Sequence, residues 1–253
     1  MWNGDYVFVV SNLVQKDFKV RYRNMSLGIF WSLLNPLVTM GVLTFVFTRL
    51  FSSQQKNYPI FALCGLIPFN FFSLAWSTGT SSLIDNASII KRLAVPREVI
   101  PIATVLGNCM HLLIQVGLLS AFVIAFGDGL NRHWGWLPLI WTMEVAFVCG
   151  LSLVSSAINI YIRDTRYVVE SFNAVLFWLV PVVYPFSYIP SRYREIYLFN
   201  PIAAVVMALR NILLEGSAPA ASLVMKLCLS SSLILALGLV VFRRLKKSFY
   251  DYL

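Results

Sequence analysis

Side chains capable of covalent or metal chemistry are few in this sequence, and they form no recognisable set. Glu144 is the only acidic residue well inside a segment apolar enough to cross a membrane. An ionisable group at that depth is a functional candidate, lining a path or pairing with an arginine. His111 and His133 have no second ligand at metal-binding spacing. The sequence therefore predicts neither a catalytic site nor a metal centre.

Two further classes of chemistry are disfavoured. The chain has no Gly-rich loop ending in Lys-Ser or Lys-Thr, the pattern that binds ATP phosphates. The four cysteines lie inside apolar runs, where cysteine is commonly a small buried hydrophobe; they are Cys64, Cys109, Cys149 and Cys228. Neither nucleotide binding nor redox chemistry is expected of this chain.

The elements that must position these residues are long apolar stretches. Hydrophobic residues make up 58% of the 253 residues and charged residues 12%, and the mean hydropathy is +0.75. Because about 20 apolar residues cross the hydrocarbon layer as a helix, the pattern predicts an all-α membrane protein with six transmembrane helices. The predicted spans are 29–50, 59–80, 99–126, 137–161, 167–184 and 221–242.

The segments between the spans carry their own signals. Residues 1–28 place apolar residues on one stripe and basic residues at the far end, which predicts an interfacial amphipathic helix; a simple basic flank is the alternative. Residues 81–98 predict a second amphipathic segment. Prolines and Gly216 divide 185–217 into pieces too short to span, which favours a re-entrant or interfacial segment. The whole chain, 1–253, is expected to be one membrane domain.

The net charge of +9 follows the predicted topology. Six spans place both termini on one side, and that side holds 13 of the 20 basic residues against 7 on the other. Basic loops stay in the cytoplasm, so both termini are expected to be cytoplasmic. The basic surplus is then a topology signal and does not predict binding to nucleic acid.

Aromatic residues follow two helix faces. Phe30 and Phe45 share a face of the first span, and Phe177 and Tyr184 share a face of the fifth. Aromatic rings suit sugar rings and apolar chains alike, since they offer large area at low entropy cost. Plain helix packing is the alternative interpretation.

The order of these parts resembles the membrane subunit of type-2 ABC exporters, in the branch that exports lipid-linked polysaccharides such as O-antigen or teichoic acid. The resemblance covers essentially the whole chain. Its motifs are Trp31-Ser32-Leu33-Leu34-Asn35-Pro36 in the first span, Tyr161-Ile162-Arg163-Asp164 after the fourth, and Phe199-Asn200-Pro201 with Arg210 in the broken segment.

The resemblance implies a non-enzymatic permease that forms a homodimer and binds two copies of a separate ATPase. ATP and Mg would be bound by that partner, and this chain would hold no cofactor. The cargo would be a lipid-linked glycan moving outward across the bacterial cytoplasmic (inner) membrane.

The resemblance also implies residue roles. The substrate path is expected to include Phe30, Phe45, Phe177, Tyr184 and Glu144. The residues expected to couple to the ATPase are Asp85, Ile89, Ile90, Arg92, Leu93, Arg97, Arg163 and Asp164.

Two alternatives remain at this stage. A type-2 permease for a small lipid or drug would share the fold and differ in cargo. An intramembrane glycan or lipid transferase would need paired acids or histidines near one membrane surface, which the sequence lacks.

Overall fold

The computed structural model describes residues 6–22, 30–51, 55–92, 96–127, 129–246 and 249, with the backbone alone at 18, 20–22 and 92. All regular elements in these ranges are helical, as predicted. They are α1 (Tyr6–Tyr22), α2 (Phe30–Phe45), α3 (Tyr58–Asp85), α4 (Ala87–Arg92), α5 (Val99–Phe126), α6 (Leu137–Tyr161), α7 (Thr165–Leu179), α8 (Ser191–Leu198), α9 (Pro201–Leu213) and α10 (Ala221–Leu245). One π-helical stretch, Val46–Leu50, extends α2.

Five helical segments in the described ranges are long and apolar enough to cross a membrane. They are Phe30–Leu50, Tyr58–Asp85, Val99–Phe126, Arg132–Tyr161 and Ala221–Leu245. Each matches a predicted span. The second extends five residues beyond its predicted end at 80, to Asp85.

The described parts of the two chain termini lie at one end of the helix bundle. Lys16 of α1 donates to Asn86 Oδ1 at 2.5 Å, just after α3. Arg97, just before α5, donates to the carbonyl of Lys246 at 2.8 Å. We call this the terminal end and the opposite one the far end. Because both termini share an end, the chain must cross the bundle an even number of times.

The sixth crossing is α7 together with the segment that follows it. α7 starts at the terminal end, after α6, and Val183 beyond it accepts a hydrogen bond from Tyr58 at the start of α3, at the far end. The helix has only 15 residues, about 22 Å, against the predicted span 167–184. It stops at Leu179 because Pro181 has no N–H and disfavours helix at Val180, whose ψ is 140°.

The predicted re-entrant segment is a pair of helices, α8 and α9, bent by 99° at residues 199–200. Asn200 caps α9 by accepting the N–H of Ile202 at 3.0 Å, and Pro201 occupies its first turn, where the missing N–H costs nothing. Since α10 must start at the far end to finish at the terminal end, α8 and α9 enter and leave at the far end. Nearly every residue of α9 is buried.

The core is built on α3, α6 and α10. α3 buries aromatic and aliphatic side chains all round. α6 and α10 approach so closely that a Cβ at Gly238 would lie 2.4 Å from the Gly150 carbonyl oxygen. Small residues allow such backbone contact in membranes, where apolar burial alone does not drive helices together.

Candidate functional site

A cavity of about 380 Å³ opens within the membrane-spanning part, between α2, α3, α5 and α7. We call it the uncharged groove. Its lining consists of three aromatic rings, seven polar side chains and one leucine: Trp31, Phe69, Phe177, Ser32, Asn35, Asn70, Ser73, Ser77, His111, Gln115 and Leu74. Amide and hydroxyl groups facing lipid are unfavourable, so this lining fits a surface that meets water or a polar ligand.

Two polar side chains help to hold the helices that border the groove. Gln115 of α5, 2% exposed, donates through Nε2 to the Ser32 carbonyl of α2 at 3.2 Å. Asn173 of α7 donates through Nδ2 to Ser77 Oγ of α3 at 3.1 Å. These bonds place α2 and α7 on either side of α3 and leave the space between them open.

The outward faces of α2 and α7 are apolar and unburied. On α2 they include Val38, Val42 and Phe45, and on α7 Val168, Phe172, Val175 and Trp178, each more than half exposed. The only buried residues are Ser32 and Pro36 in α2 and Val169 and Asn173 in α7. Both faces are therefore available to lipid or to another polypeptide.

The predicted path residues divide between these surfaces. Phe177 lines the uncharged groove. Phe30 and Phe45 do not; they lie on the exposed face of α2, 51% and 61% exposed. Tyr184 is also outside the groove, because its hydroxyl donates to the carbonyls of Trp178 and Leu179, both at 3.0 Å.

Glu144, the remaining residue of the expected path, lies apart from the uncharged groove. It is fully buried within α6 and outside the lining of the groove. Neither carboxylate oxygen has a hydrogen-bond partner among the described residues. The alternative pairing with an arginine is also not found in those residues.

At the terminal end, α1, α4 and α5 enclose an apolar groove of about 310 Å³. It is lined by Phe8, Val9, Asn12, Leu13, Lys16, Ile89 and Ile100. Ile89 is therefore placed at a surface, as expected. Ile90 points the other way: it is 5% exposed and packs in a cluster with Leu83 and Phe242. The expected contact between Ile90 and a partner is thus replaced by internal packing.

The other predicted coupling residues lie around the same end. Asp85 ends α3 and is within electrostatic reach of Arg166 at the start of α7. Arg97 bonds the chain at Lys246. Arg92 is described by its backbone alone, and Leu93 lies outside the described residues.

Arg163 and Asp164, two of the expected coupling residues, form a tight turn between α6 and α7, and both are exposed. In the described structure they form no ion pair, and Asp164 occupies the N-cap position without a side-chain cap bond. Thr165 holds the turn instead, since its N–H and Oγ1 both donate to the carbonyl of Ile162, at 3.1 and 2.6 Å.

Arg210 at the far end has a role that sequence reasoning missed. It is 6% exposed, and its Nη atoms donate to the carbonyls of Pro181 at 2.7 Å and Val182 at 2.6 Å. Its guanidinium carbon lies 3.5 Å from the centroid of the Phe61 ring. One cation thus fixes the non-helical segment after α7 to both α9 and α3. The signal was an arginine inside an apolar run, which is unusual enough to mark a specific partner.

Comparison with known proteins decides the family. The ABC-2 type transporter family matches residues 9–214, most of the chain. This chain belongs to the ABC-2 type transporter family. Six crossings, a re-entrant far-end pair and a helix beside the terminal-end surface are therefore the framework of an ABC transporter permease.

Individual relatives agree over nearly their whole length. The O-antigen export system permease protein RfbA of Klebsiella pneumoniae is 30% identical over 250 residues, covering 98% of this chain and 95% of the relative. The protein of the same name from Myxococcus xanthus is 28% identical, covering 97% and 95%. The polysialic acid transport protein KpsM of Escherichia coli is 25% identical, covering 92% of each chain.

Proposed function

We propose that this chain is the membrane-spanning subunit of an ATP-driven exporter of lipid-linked polysaccharide. The observation that carries the proposal is the uncharged groove. Its amides, hydroxyls and aromatic rings are the groups that bind sugars, and they line a cavity at membrane depth in a member of a transporter family. Two relatives carry the names O-antigen export system permease protein and polysialic acid transport protein, and both names support a polysaccharide cargo.

The path is completed by a second copy of the chain. One copy leaves the outward faces of α2 and α7 apolar and unburied while the groove beside them is polar. A homodimer joined through these faces covers the apolar surface and brings two grooves together. The chain then works as one membrane domain over residues 1–253, in the bacterial inner membrane.

ATP and Mg are bound by a separate ATPase, in two copies, that docks at the terminal end. The apolar groove between α1, α4 and α5 suits an apolar side chain or helix of that partner. Ile89, Asp85 and the Arg163–Asp164 turn form the rest of the docking surface. This places both termini in the cytoplasm, in keeping with the excess of basic residues on that side.

Complementation tests the cargo. The chain is expressed with its cognate ATPase in a bacterium that makes a lipid-linked O-antigen but lacks its own permease. We expect glycan on the cell surface, detected by antibody on intact cells. Intracellular accumulation with unchanged surface signal would contradict the proposal. A gain in resistance to apolar drugs in its place would favour the permease for small lipids or drugs.

Cysteine labelling tests the orientation independently. With the native cysteines replaced, a membrane-impermeant reagent is expected to label Arg132→Cys from outside the cell and to leave Lys91→Cys unlabelled. The reverse pattern would place both termini outside and would remove the terminal end as the ATPase surface.

A further inference from the structure

The chemistry of the uncharged groove goes further than a general path, because it discriminates between kinds of glycan. Polysaccharides exported by ABC systems include neutral sugar chains and chains that carry a carboxylate or phosphate on each repeat. A site meant for the second kind needs a cation, since moving an ion into low dielectric without one costs several kcal/mol. The lining of the groove contains no lysine or arginine among the residues that the structure describes.

His111, the titratable side chain among the described lining residues, faces a hydrogen-bond donor. Nε2 of Gln115 lies 3.0 Å from Nε2 of His111 and 3.2 Å from the carbonyl oxygen of Ser32. The carbonyl can only accept, so the amide nitrogen of Gln115 faces it as a donor. The same nitrogen then donates to His111, whose Nε2 must carry a lone pair. An imidazole that accepts at Nε2 carries no positive charge.

Gln115 also offers an unused acceptor. With its nitrogen committed to Ser32 and His111, Oε1 is buried and has no partner among the described residues. A buried polar atom without a partner is costly, so a ligand that donates to Oε1 is favoured. Sugar hydroxyls are donors of this kind.

The other lining residues also carry groups that can contact a sugar ring. Asn35 and Asn70 carry amides that make no side-chain hydrogen bond to any described residue, so their donors and acceptors are available. Trp31, Phe69 and Phe177 offer ring faces and edges to the apolar side of a sugar. The volume of about 380 Å³ lies in the range of small-ligand sites, roughly 300–1,000 Å³.

We propose that the uncharged groove is a subsite for neutral sugar units, in which Gln115 Oε1 accepts a hydrogen bond from a sugar hydroxyl and the lack of a cation disfavours acidic glycans. This rests on the proposed function and narrows its cargo: a neutral O-antigen type of chain is transported, and a phosphate-rich teichoic acid or a polysialic acid is not.

The test uses the permease with its cognate ATPase in lipid nanodiscs. ATP hydrolysis is measured with two probes of equal length carrying the same lipid diphosphate anchor, one a neutral mannose oligomer and the other oligosialic acid. We expect stimulation by the neutral probe alone. Gln115→Leu should raise the neutral probe concentration for half-maximal stimulation roughly five-fold, the effect of one lost hydrogen bond. Ser120→Ala on the same helix, whose hydroxyl bonds its own backbone, is the matched control and should leave it unchanged.

A second variant tests the inference by a gain of function, which poor folding of the variant cannot explain. Asn70→Arg places a cation in the groove without removing a side-chain hydrogen bond to a described residue, and it should make oligosialic acid stimulatory. Equal stimulation of the unaltered complex by both probes would overturn the inference and leave the proposed function standing. If neither probe stimulates ATP hydrolysis and the complementation in cells also fails, both the inference and the proposed function are wrong.

Discussion

Two pairs of helices differ in how they contact the rest of the bundle: α6 with α10, and α2 with α7. α6 and α10 meet backbone to backbone at Gly150 and Gly238. α2 and α7 contact the bundle through both polar and apolar groups. The Ser32 carbonyl and the Asn173 side chain are hydrogen-bonded, and Phe172 and Phe177 pack on aromatic rings of α3. Within the apolar window of each span, 44% of the residues are buried in the span that contains α6 and 22% in α10, against 11% in the span that contains α2.

Because of this difference, we call α6 and α10 the fixed half of the bundle and α2 and α7 the yielding half, the half that can shift. A backbone contact has no slack, because any displacement at Gly238 creates overlap or a void. A single amide hydrogen bond can be broken and remade at low net cost, about 0.6 kcal/mol in membrane proteins. The uncharged groove is bordered by α2 and α7, the half that can shift.

Replacing Arg210 should cause the largest loss of stability. Arg210→Met leaves the carbonyls of Pro181 and Val182 buried and unpaired, at about 1–3 kcal/mol each. We expect a clear fall in the thermal unfolding temperature in detergent, followed by tryptophan fluorescence. Arg192→Met is the control, since Arg192 is exposed and contacts the neighbouring Tyr193. An unchanged midpoint for Arg210→Met would show that the segment after α7 does not depend on this cation.

The Gly150–Gly238 crossing should give the next largest effect. Gly238→Ala places a Cβ 2.4 Å from the Gly150 carbonyl oxygen, and overpacking of this kind costs about 1–3 kcal/mol. Gly117→Ala on α5 is the matched control, because nothing lies within 4 Å of its Cβ position. Size-exclusion profiles after a heating series should separate the two. Equal behaviour would contradict the description of α6 and α10 as a fixed contact.

The yielding half should respond less. Asn173→Leu removes the bond from α7 to Ser77 and should lower the free energy of unfolding by about 0.6 kcal/mol. Asn70→Leu, an amide of the same groove without a side-chain bond to a described residue, should leave it unchanged. If Asn173→Leu were as damaging as Gly238→Ala, α7 would belong to the fixed half.

Glu144 should give the smallest effect, although it is fully buried. Glu144→Met replaces a side chain that has no hydrogen-bond partner in the described structure with an apolar one of similar size, a change that is often neutral or stabilising. We expect an unfolding temperature that is equal or higher. The same substitution at Arg210 is the comparison, and a matching loss at both positions would contradict it.

The sequence was sufficient to predict where the helices lie in the chain, but it did not show which face of each helix points toward the groove. Uncharged runs located five spans and the broken segment, because apolar length alone sets those elements. Periodicity could not show that the aromatic faces at Phe30 and Phe45 point away from the groove, since lipid and protein select similar apolar residues. It also could not find Gln115 or Asn173, whose partners lie 83 and 96 residues away in the chain.

The C-terminal segment connects the loop before α5 to α10. Arg97 and Glu98 hold Lys246 through its carbonyl and its ammonium group, across 149 and 148 residues of sequence, and Phe249 packs on Phe242 and Tyr161. A push on the loop before α5 therefore reaches α10 directly. α10 also meets α6 at the glycine crossing. We therefore expect the loop, α6 and α10 to move together as one unit, and α2 and α7 to move relative to that unit.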